Sequence, residues 1–420
     1  MQLVLTMMVR DEADIIAATI EHHLAQGVDR IIVTDNASTD GTLEILRAYE
    51  AVAPVTVLED PEHRKQQAAV VTRMARMAHT EFGADWVING DADEFVVARD
   101  AALTVRDALA RTPSDVGQML VPVHNLVGPM AERGSGVRRL VHRDERSPEQ
   151  LAQAGLLSHP TPNAIHIGSP EVEVVQGNHG TSIPSGAAVP EGLELEVLHL
   201  PWRSAAQLRR KTEHTGRGYD ANPDLRPSPN HHGMRDWRRM QAGLLDGFLA
   251  LRMPTTAELA QAGFTPDTRI RDGLDALVGR AVLPDRLAAT LDDSDDGVVE
   301  DDRVRELRHD AEMIARAEGP VYRDLSGLRI HADALERERE LLARRLLQEE
   351  GTRLDAERNL TVAREQAHAH RGELDALREA HAALQDERDE LRARVDRFET
   401  HPAFRLARSV RERLPGRGRG

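Results

Sequence analysis

The sequence predicts an α/β protein built on a doubly wound, mostly parallel sheet and extended at its far end by an α-helical coiled coil. Two observations carry this expectation. Short apolar runs alternate with amphipathic segments between Leu3 and Phe95, the pattern of parallel strands joined by crossover helices. A heptad spacing then holds without a break from Leu335 to Phe398, as helices that wind around one another require.

The elements follow in order. Leu3 to Val9 is nearly continuous in apolar residues, as in a strand covered on both faces. Ile15, Ile16, Ile20 and Leu24 give Asp14 to Gln26 a helical period, and Gly27 ends it. Arg30 to Thr34, Val55 to Leu58 and Trp86 to Asn89 read as further strands, with helices at Thr39 to Tyr49 and Gln66 to Thr80 between them. The fourth strand runs straight into Gly90-Asp91-Ala92-Asp93-Glu94-Phe95. From Leu103 to Pro201 only short β-like pieces stand out, at Gly117 to Val123, Ala164 to Ile167 and Glu194 to Leu198. Ser204 to Gly218 and Asp236 to Leu251 read as helices flanking a polar loop, Asp220 to Gly233.

A catalytic α/β domain is therefore expected over residues 1–250, a helical extension and acidic linker over 251–325, a coiled coil over 326–400 and a basic tail over 401–420. The acidic run Asp292 to Asp302 imitates the start of a calcium-binding loop, but Arg303 stands where a bidentate Glu is needed. It reads as a solvated linker. In the heptads Leu335, Leu342, Leu377, Leu384 and Leu391 occupy d, and Leu346, Leu360, Leu374 and Val395 occupy a. Glu349, Arg353 and several alanines weaken the middle. Such a helix spans roughly 90–100 Å at 1.5 Å per residue and is expected to join copies of the chain into a homo-oligomer.

Composition removes several classes of function. A net charge of −16 argues against a nucleic-acid partner. With no cysteine there is no disulfide scaffold, thiolate zinc site or cysteine nucleophile. No apolar stretch reaches the ~18 residues that span a bilayer, and charges from Arg10 onward break the N-terminal apolar run, so a cytoplasmic protein is expected. The tail, with Arg405, Arg408, Arg411 and Arg413 beside Phe404, Leu406 and Val410, suits an anionic membrane surface. A disordered basic tail accounts for it equally well.

Three strand-end clusters carry the chemistry, because ligands of such sheets bind at the carboxyl ends of strands. They are Val9-Arg10-Asp11-Glu12, the run Asp35 to Thr42, and Asp91-Ala92-Asp93. Two carboxylates one residue apart on a turn repel each other unless a cation is present, and hard oxygen donors of this kind suit Mg²⁺ or Mn²⁺. A solvated acidic turn is the plainer reading. Asp35, at a strand end, is placed to accept from a base or ribose, while Ser38 or Thr39 is placed to cap the next helix.

Together these clusters resemble the GT-A glycosyltransferases, the family-2-like group and its relatives in family 92. The resemblance rests on V-R-D-E at Val9 to Glu12, on D-N-x-S-T-D-G-T at Asp35 to Thr42 and on D-x-D-E-F at Asp91 to Phe95. It continues through His199, Arg203, Ser204, Gln207 and Lys211, which look like an H-x-x-x-R-S-x-x-Q-x-x-x-K stretch. It implies a GT-A fold and transfer of a sugar from a nucleotide-sugar donor, expected to be a UDP-sugar, to a glycan or lipid-linked acceptor. Surface polysaccharide synthesis is the setting it suggests.

Roles follow position by position. Arg10, Glu12, Asp35 and Asn36 would hold the nucleoside, with Asp35 on the base. Asp91 would lie near ribose and metal. Asp91, Asp93 and His199 would hold Mn²⁺ or Mg²⁺, and Arg203 and Lys211 would neutralise the departing diphosphate. Asn36 stands where the family often has a second acidic residue. The resemblance also implies inversion at the anomeric carbon, which needs a base for the acceptor hydroxyl. Asp144, Glu145, Glu171, Glu173 and His179 are available; Glu171 and His179 lie in Gly/Pro-rich and Gly-Asn-His-Gly loops and are carried forward as catalytic. Asp93→Ala is expected to abolish transfer and leave the fold intact.

Two other readings compete. A nucleotidyltransferase also needs metal on carboxylates, yet usually opens with a Gly-rich loop where Arg10 to Asp14 stands. A coiled-coil scaffold with a degenerate transferase domain is opposed by the presence of both Asp91 and Asp93.

Overall fold

The computed structural model describes residues 1–61, 67–220, 231–400 and 402. They fall into two units, Met1–Arg329 and Ile330–Gly420. The first unit opens with β1 (Leu3–Val9), α1 (Ile16–Ala25), β2 (Arg30–Asp35), α2 (Thr42–Glu50), β3 (Val55–Glu59), α3 (Gln67–Thr80) and β4 (Trp86–Gly90). It continues through β5 (Glu94–Ala98), α4 (Val105–Arg111), β6 (Gln118–Val121), β7 (Val123–Val127), β8 (His142–Asp144), α5 (Pro148–Gln153), β9 (Asn163–Ile167), β10 (Leu195–His199) and α6 (Ala205–Asp220). Then come α7 (His232–Gln241), α8 (Leu245–Arg252), β11 (Phe264–Pro266), α9 (Arg269–Asp275), α10 (Pro284–Leu291) and α11 (Asp301–Thr400), which runs into the second unit.

The main sheet has the order β3-β2-β1-β4-β9-β6. Its first four strands are parallel, β9 runs against β4, and β6 runs against β9. Only β9 is reversed, so the expected mostly parallel sheet is present. β1 shows why its sequence is so continuously apolar. Leu3, Leu5, Met7 and Val9 face one core with α1 and α2, while Val4 faces the other with Val70, Val71 and Met74 of α3. Thr6 satisfies its hydroxyl on Asn89 at 2.7 Å.

A second sheet, β11-β8-β7-β10-β5, was visible in the sequence only as fragments. It matters because β5 begins directly after the Asp91–Asp93 turn and pairs antiparallel with β10, setting His199 opposite Glu94. The acidic turn thus lies where the two sheets meet.

Other local expectations are revised. The helix expected from Asp236 to Leu251 is two helices, α7 and α8, parted at Gly243, whose φ of +72° lies in the left-handed region. Helix α2 starts later than expected, and the carboxylate of Asp40, rather than Ser38 or Thr39, takes the N–H of Thr42 at 3.0 Å. Residues 251–329 belong to the first unit. Ile270, Leu274, Leu287 and Leu291 belong to the main core, and α9 and α10 pack on α1. The Glu21 carboxylate accepts from the Tyr49 hydroxyl at 2.9 Å and from the N–H groups of Val282 and Leu283 at 3.0 and 2.9 Å. The acidic run is not solvated throughout, since Asp296 is buried beside Arg139.

In the second unit α11 continues as one helix to Thr400. No described helix is long and apolar enough to cross a membrane. The basic tail, apart from Pro402, and most of the polar loop after α6 lie outside the described residues.

Candidate active site

The turn after β4 is held from several sides. Glu94 accepts from the Asp91 N–H at 3.1 Å and from the Asn163 amide at 2.8 Å. The Ala92 carbonyl accepts from the Thr19 hydroxyl, and the Asp93 carbonyl from the Leu200 N–H at 2.9 Å. With the backbone pinned, the Asp93 side chain, 2% exposed, faces three basic groups. Lys211 Nζ lies 2.9 Å from its Oδ2, Arg203 Nη1 3.4 Å and His199 Nε2 3.6 Å. Burial works to raise this carboxyl, but Lys211, His199 and Arg203 outweigh it and hold it well below the usual range. His199 is oriented through Nδ1, which donates to Asn125 Oδ1 at 3.0 Å. Burial opposes its charge, and Asp93 beside it raises its pKa all the same.

Arg203 departs from its expected role. It is 0% exposed, and its guanidinium forks onto Asp14 at 2.9 and 3.0 Å while also bonding Glu12 and Asp93. All three nitrogens are committed to carboxylates beneath the cleft floor. A diphosphate does not reach a side chain so placed; Arg203 instead ties the segment after β1 to the acidic turn. Lys211 does line the cleft, with Arg10, Asp11, Glu12, Asp91 and Asp93.

Asp91 is half-buried and takes only neutral donors on Oδ1, Gln67 at 3.0 Å and Asn178 at 3.3 Å. Burial and the nearby Asp93 raise its pKa. Burial likewise lifts Glu12 to about 7 against the pull of Arg203, and lifts Glu94 to about 7 with Asp91 adding to it. Asp93 acting on Asp91, and Asp91 on Glu94, are like charges held close together, and hard oxygen donors so gathered fit a divalent cation. Among the described residues no three acidic or histidine side chains stand in ready ligand geometry, because Asp93 is turned toward Lys211 and Arg203.

At the end of β2, Asp35 is 2% exposed, accepts from the Ser38 N–H at 3.0 Å through Oδ2, and keeps a buried Oδ1 with no partner among the described residues. Asn36 is part of the scaffold, its amide donating to the Asp60 carbonyl at 3.0 Å. Arg10 donates to the Asn36 carbonyl at 3.0 Å. The two candidate bases separate. His179 is exposed next to Asn178, the residue that reaches Asp91, and bonds the Pro162 carbonyl at 3.2 Å. Glu171 is exposed on a turn beside Ser169, and neither it nor His179 is among the residues lining the cleft.

Several cleft residues escaped the sequence reading. Asp11, at φ +53°, accepts from the Thr39 N–H at 2.6 Å and lies 3.3 Å from His214 Nδ1. His214 completes a face of α6 with the already named Gln207 and Lys211, at i, i+4 and i+7, which periodicity was able to reveal. Gln67 and Asn178 carried no signal, since neutral amides are common in loops and caps.

Residues 5–146 match the model of glycosyl transferase family 2. The chain carries a family 2 glycosyltransferase domain. That domain holds the β1, β2 and β4 strand ends described above, in the GT-A arrangement. Among solved structures, the chain is similar to TarS 1–349 of S. aureus in complex with UDP-GlcNAc, at 12% identity, covering 79% of this chain and 92% of that one with a TM-score of 0.31. It is also similar to glucosyl-3-phosphoglycerate synthase of Mycobacterium tuberculosis in complex with Mn²⁺, UDP and glucosyl-3-phosphoglycerate, at 22% identity, covering 40% and 56% with a TM-score of 0.22. No curated protein matches the glycosyltransferase chain.

Proposed function

We propose that this domain transfers a sugar from a UDP-sugar to a hydroxyl of a glycan or lipid-linked acceptor, with inversion. The observation that carries the reading is the presence of two features at the carboxyl ends of β2 and β4, the strands on either side of β1. One is a buried carboxylate oxygen on Asp35 that has no partner among the described residues; the other is a charged cleft, with Lys211 and Asp93 2.9 Å apart. The free oxygen of Asp35 suits the N–H of a nucleobase, and the cleft suits a diphosphate.

Asp91 and Asp93, with His199, would hold Mn²⁺ or Mg²⁺, which would supply positive charge to the diphosphate. Lys211 supplies a second positive charge and exchanges Asp93 for phosphate oxygen as the donor enters. Arg203 keeps Glu12, Asp14 and Asp93 in place without touching the substrate. His179 takes the acceptor proton in this reading, a choice supported by its place next to Asn178 and Asp91; Glu171 is the less favoured base. A single in-line displacement inverts the anomeric centre.

Calorimetric titration of the full chain with UDP, with and without Mn²⁺, tests the reading, followed by a screen of UDP-sugars for hydrolysis. Binding strengthened by the metal is expected. No UDP binding under either condition would overturn it in favour of the scaffold reading.

A further inference from the structure

Between Leu335 and Val395, α11 presents a stripe of large apolar side chains left uncovered among the described residues. Leu335, Leu342, Leu360, Leu374, Leu384 and Leu391 are each at least 50% exposed, and all occupy a or d of one heptad register. A seam of this kind is stable only against another helix. It is interrupted by Arg339, Glu349, Arg353, His370, His381 and Arg388, and these residues decide how the partner lies. We infer that the seam is the interface of an antiparallel two-stranded coiled coil between two copies of this chain, centred on Glu365.

The core positions exclude the parallel alternative. In a parallel pair in register, each a residue faces its own copy, and so does each d residue. Arg339, Arg353, Arg388 and Glu349 would then each be stacked on a like charge in a desolvated seam, which is costly. In an antiparallel pair, a residues layer on d residues. With Glu365 at the centre Arg339 meets Leu391, Arg353 meets Leu377 and Arg388 meets Leu342. His381 meets Glu349, an opposite charge when the ring is protonated. Leu346 meets Leu384, Val395 meets Leu335, and Leu374 fills the space left by Ala356. An arginine opposite a leucine lays its methylenes along the seam and carries its head to the edge. Arg339 and Arg353 already lean that way, toward Glu336 at 3.0 Å and Glu357 at 3.8 Å, both at e positions.

The flanking charges set the register. In the antiparallel pair g faces g and e faces e. Glu338 then meets Arg394 and Arg345 meets Glu387 at g, while Glu336 meets Arg392, Glu350 meets Arg378 and Glu357 meets Arg371 at e. Only Arg364, at the twofold axis, faces its own charge. Sliding the partner by one heptad brings Arg345 onto Arg394 in one direction and Glu338 onto Glu387 in the other. One alignment satisfies the pattern, and the sequence is complementary to itself when reversed.

A charge swap in the full chain tests both orientation and register, read by sedimentation equilibrium. The unaltered chain is expected to be a dimer. R345E or E387R alone turns two attractive contacts repulsive and is expected to raise the dissociation constant roughly tenfold. R345E/E387R remakes both contacts and returns it close to the starting value. In a parallel pair the double variant would instead face Glu350 and Arg392 with like charge and dissociate further, so failure to recover overturns the inference, as does a chain monomeric at every concentration. Since the chain has no cysteine, L335C and V395C provide a second readout. Co-expressed and oxidised, they are expected to cross-link to each other, and cross-linking of L335C to itself would overturn the arrangement.

Discussion

Arg203 shows how much a single side chain organises here. It is fully buried, and its three nitrogens reach Asp14, Glu12 and Asp93. Removing one partner of a buried ion cluster leaves the others uncompensated, which costs about 3–5 kcal/mol. Arg203→Ala is therefore expected to lower stability by about that amount in urea unfolding, with lost activity following from lost order. The same network revises the expectation for Asp93→Ala. Asp93 is 2% exposed and anchors three basic groups, so this variant should lose transfer and also a few kcal/mol of stability, on the order of 2–4. A melting temperature equal to that of the unaltered chain would count against the network. Asp91 and Asp93 were legible in the sequence because their residue type and spacing point to a charged strand end, and Lys211 was named through the resemblance of the His199 to Lys211 stretch. The depth of Arg203 was not, since spacing along a chain says nothing of what closes over a side chain.

Among the elements, the strands and helices through β4 were legible, apart from the later start of α2, because each buries a periodic apolar set against its sequence neighbours. The second sheet was not. Its β8 and β11 are three residues long and pair across more than a hundred positions, leaving no period to detect. The split between α7 and α8 was missed for a related reason, since both helices keep compatible spacing across Gly243. The contact between α6 and α7 offers a test at this scale. A Cβ at Gly216 would come within 2.1 Å of the Trp237 ring. Gly216→Ala gains about 1 kcal/mol of helix propensity, yet overpacking of a closed contact costs about 1–3 kcal/mol. A net loss of stability with altered tryptophan emission is expected, and a more stable protein with unchanged emission would contradict the packing.

At the scale of the whole molecule, acid sensitivity has contributions of opposite sign. His166 is 0% exposed, and burial lowers it to about 4. It stays neutral in the fold while the unfolded chain protonates near 6.5. Stability is thus lost as pH falls from about 6.5 toward 4. Glu12 and Glu94, raised to about 7, contribute stability that is lost as pH rises between about 4.5 and 7. The histidine part is isolated by comparison with His166→Phe. The free-energy difference between the two proteins should shift by about 2 kcal/mol in favour of the variant between pH 7 and pH 5. A pH-independent difference would mean the ring is not neutral in the fold. The heptads of α11 were plain from the sequence, whereas the antiparallel direction proposed for their pairing needed the polar seam residues to be read against one another.

The bond from Glu21 to Val282 and Leu283 bears on how this enzyme can be trimmed. Those two N–H groups lie some 260 positions downstream of the carboxylate they satisfy. A chain cut at residue 250 would keep every strand-end acid yet strip the outer wall from α1 and leave Glu21 with one of its three partners. The sugar-transfer module is therefore not a portable cassette ending where its family signature fades, and anyone shortening it should expect aggregation until the cut is moved beyond α10.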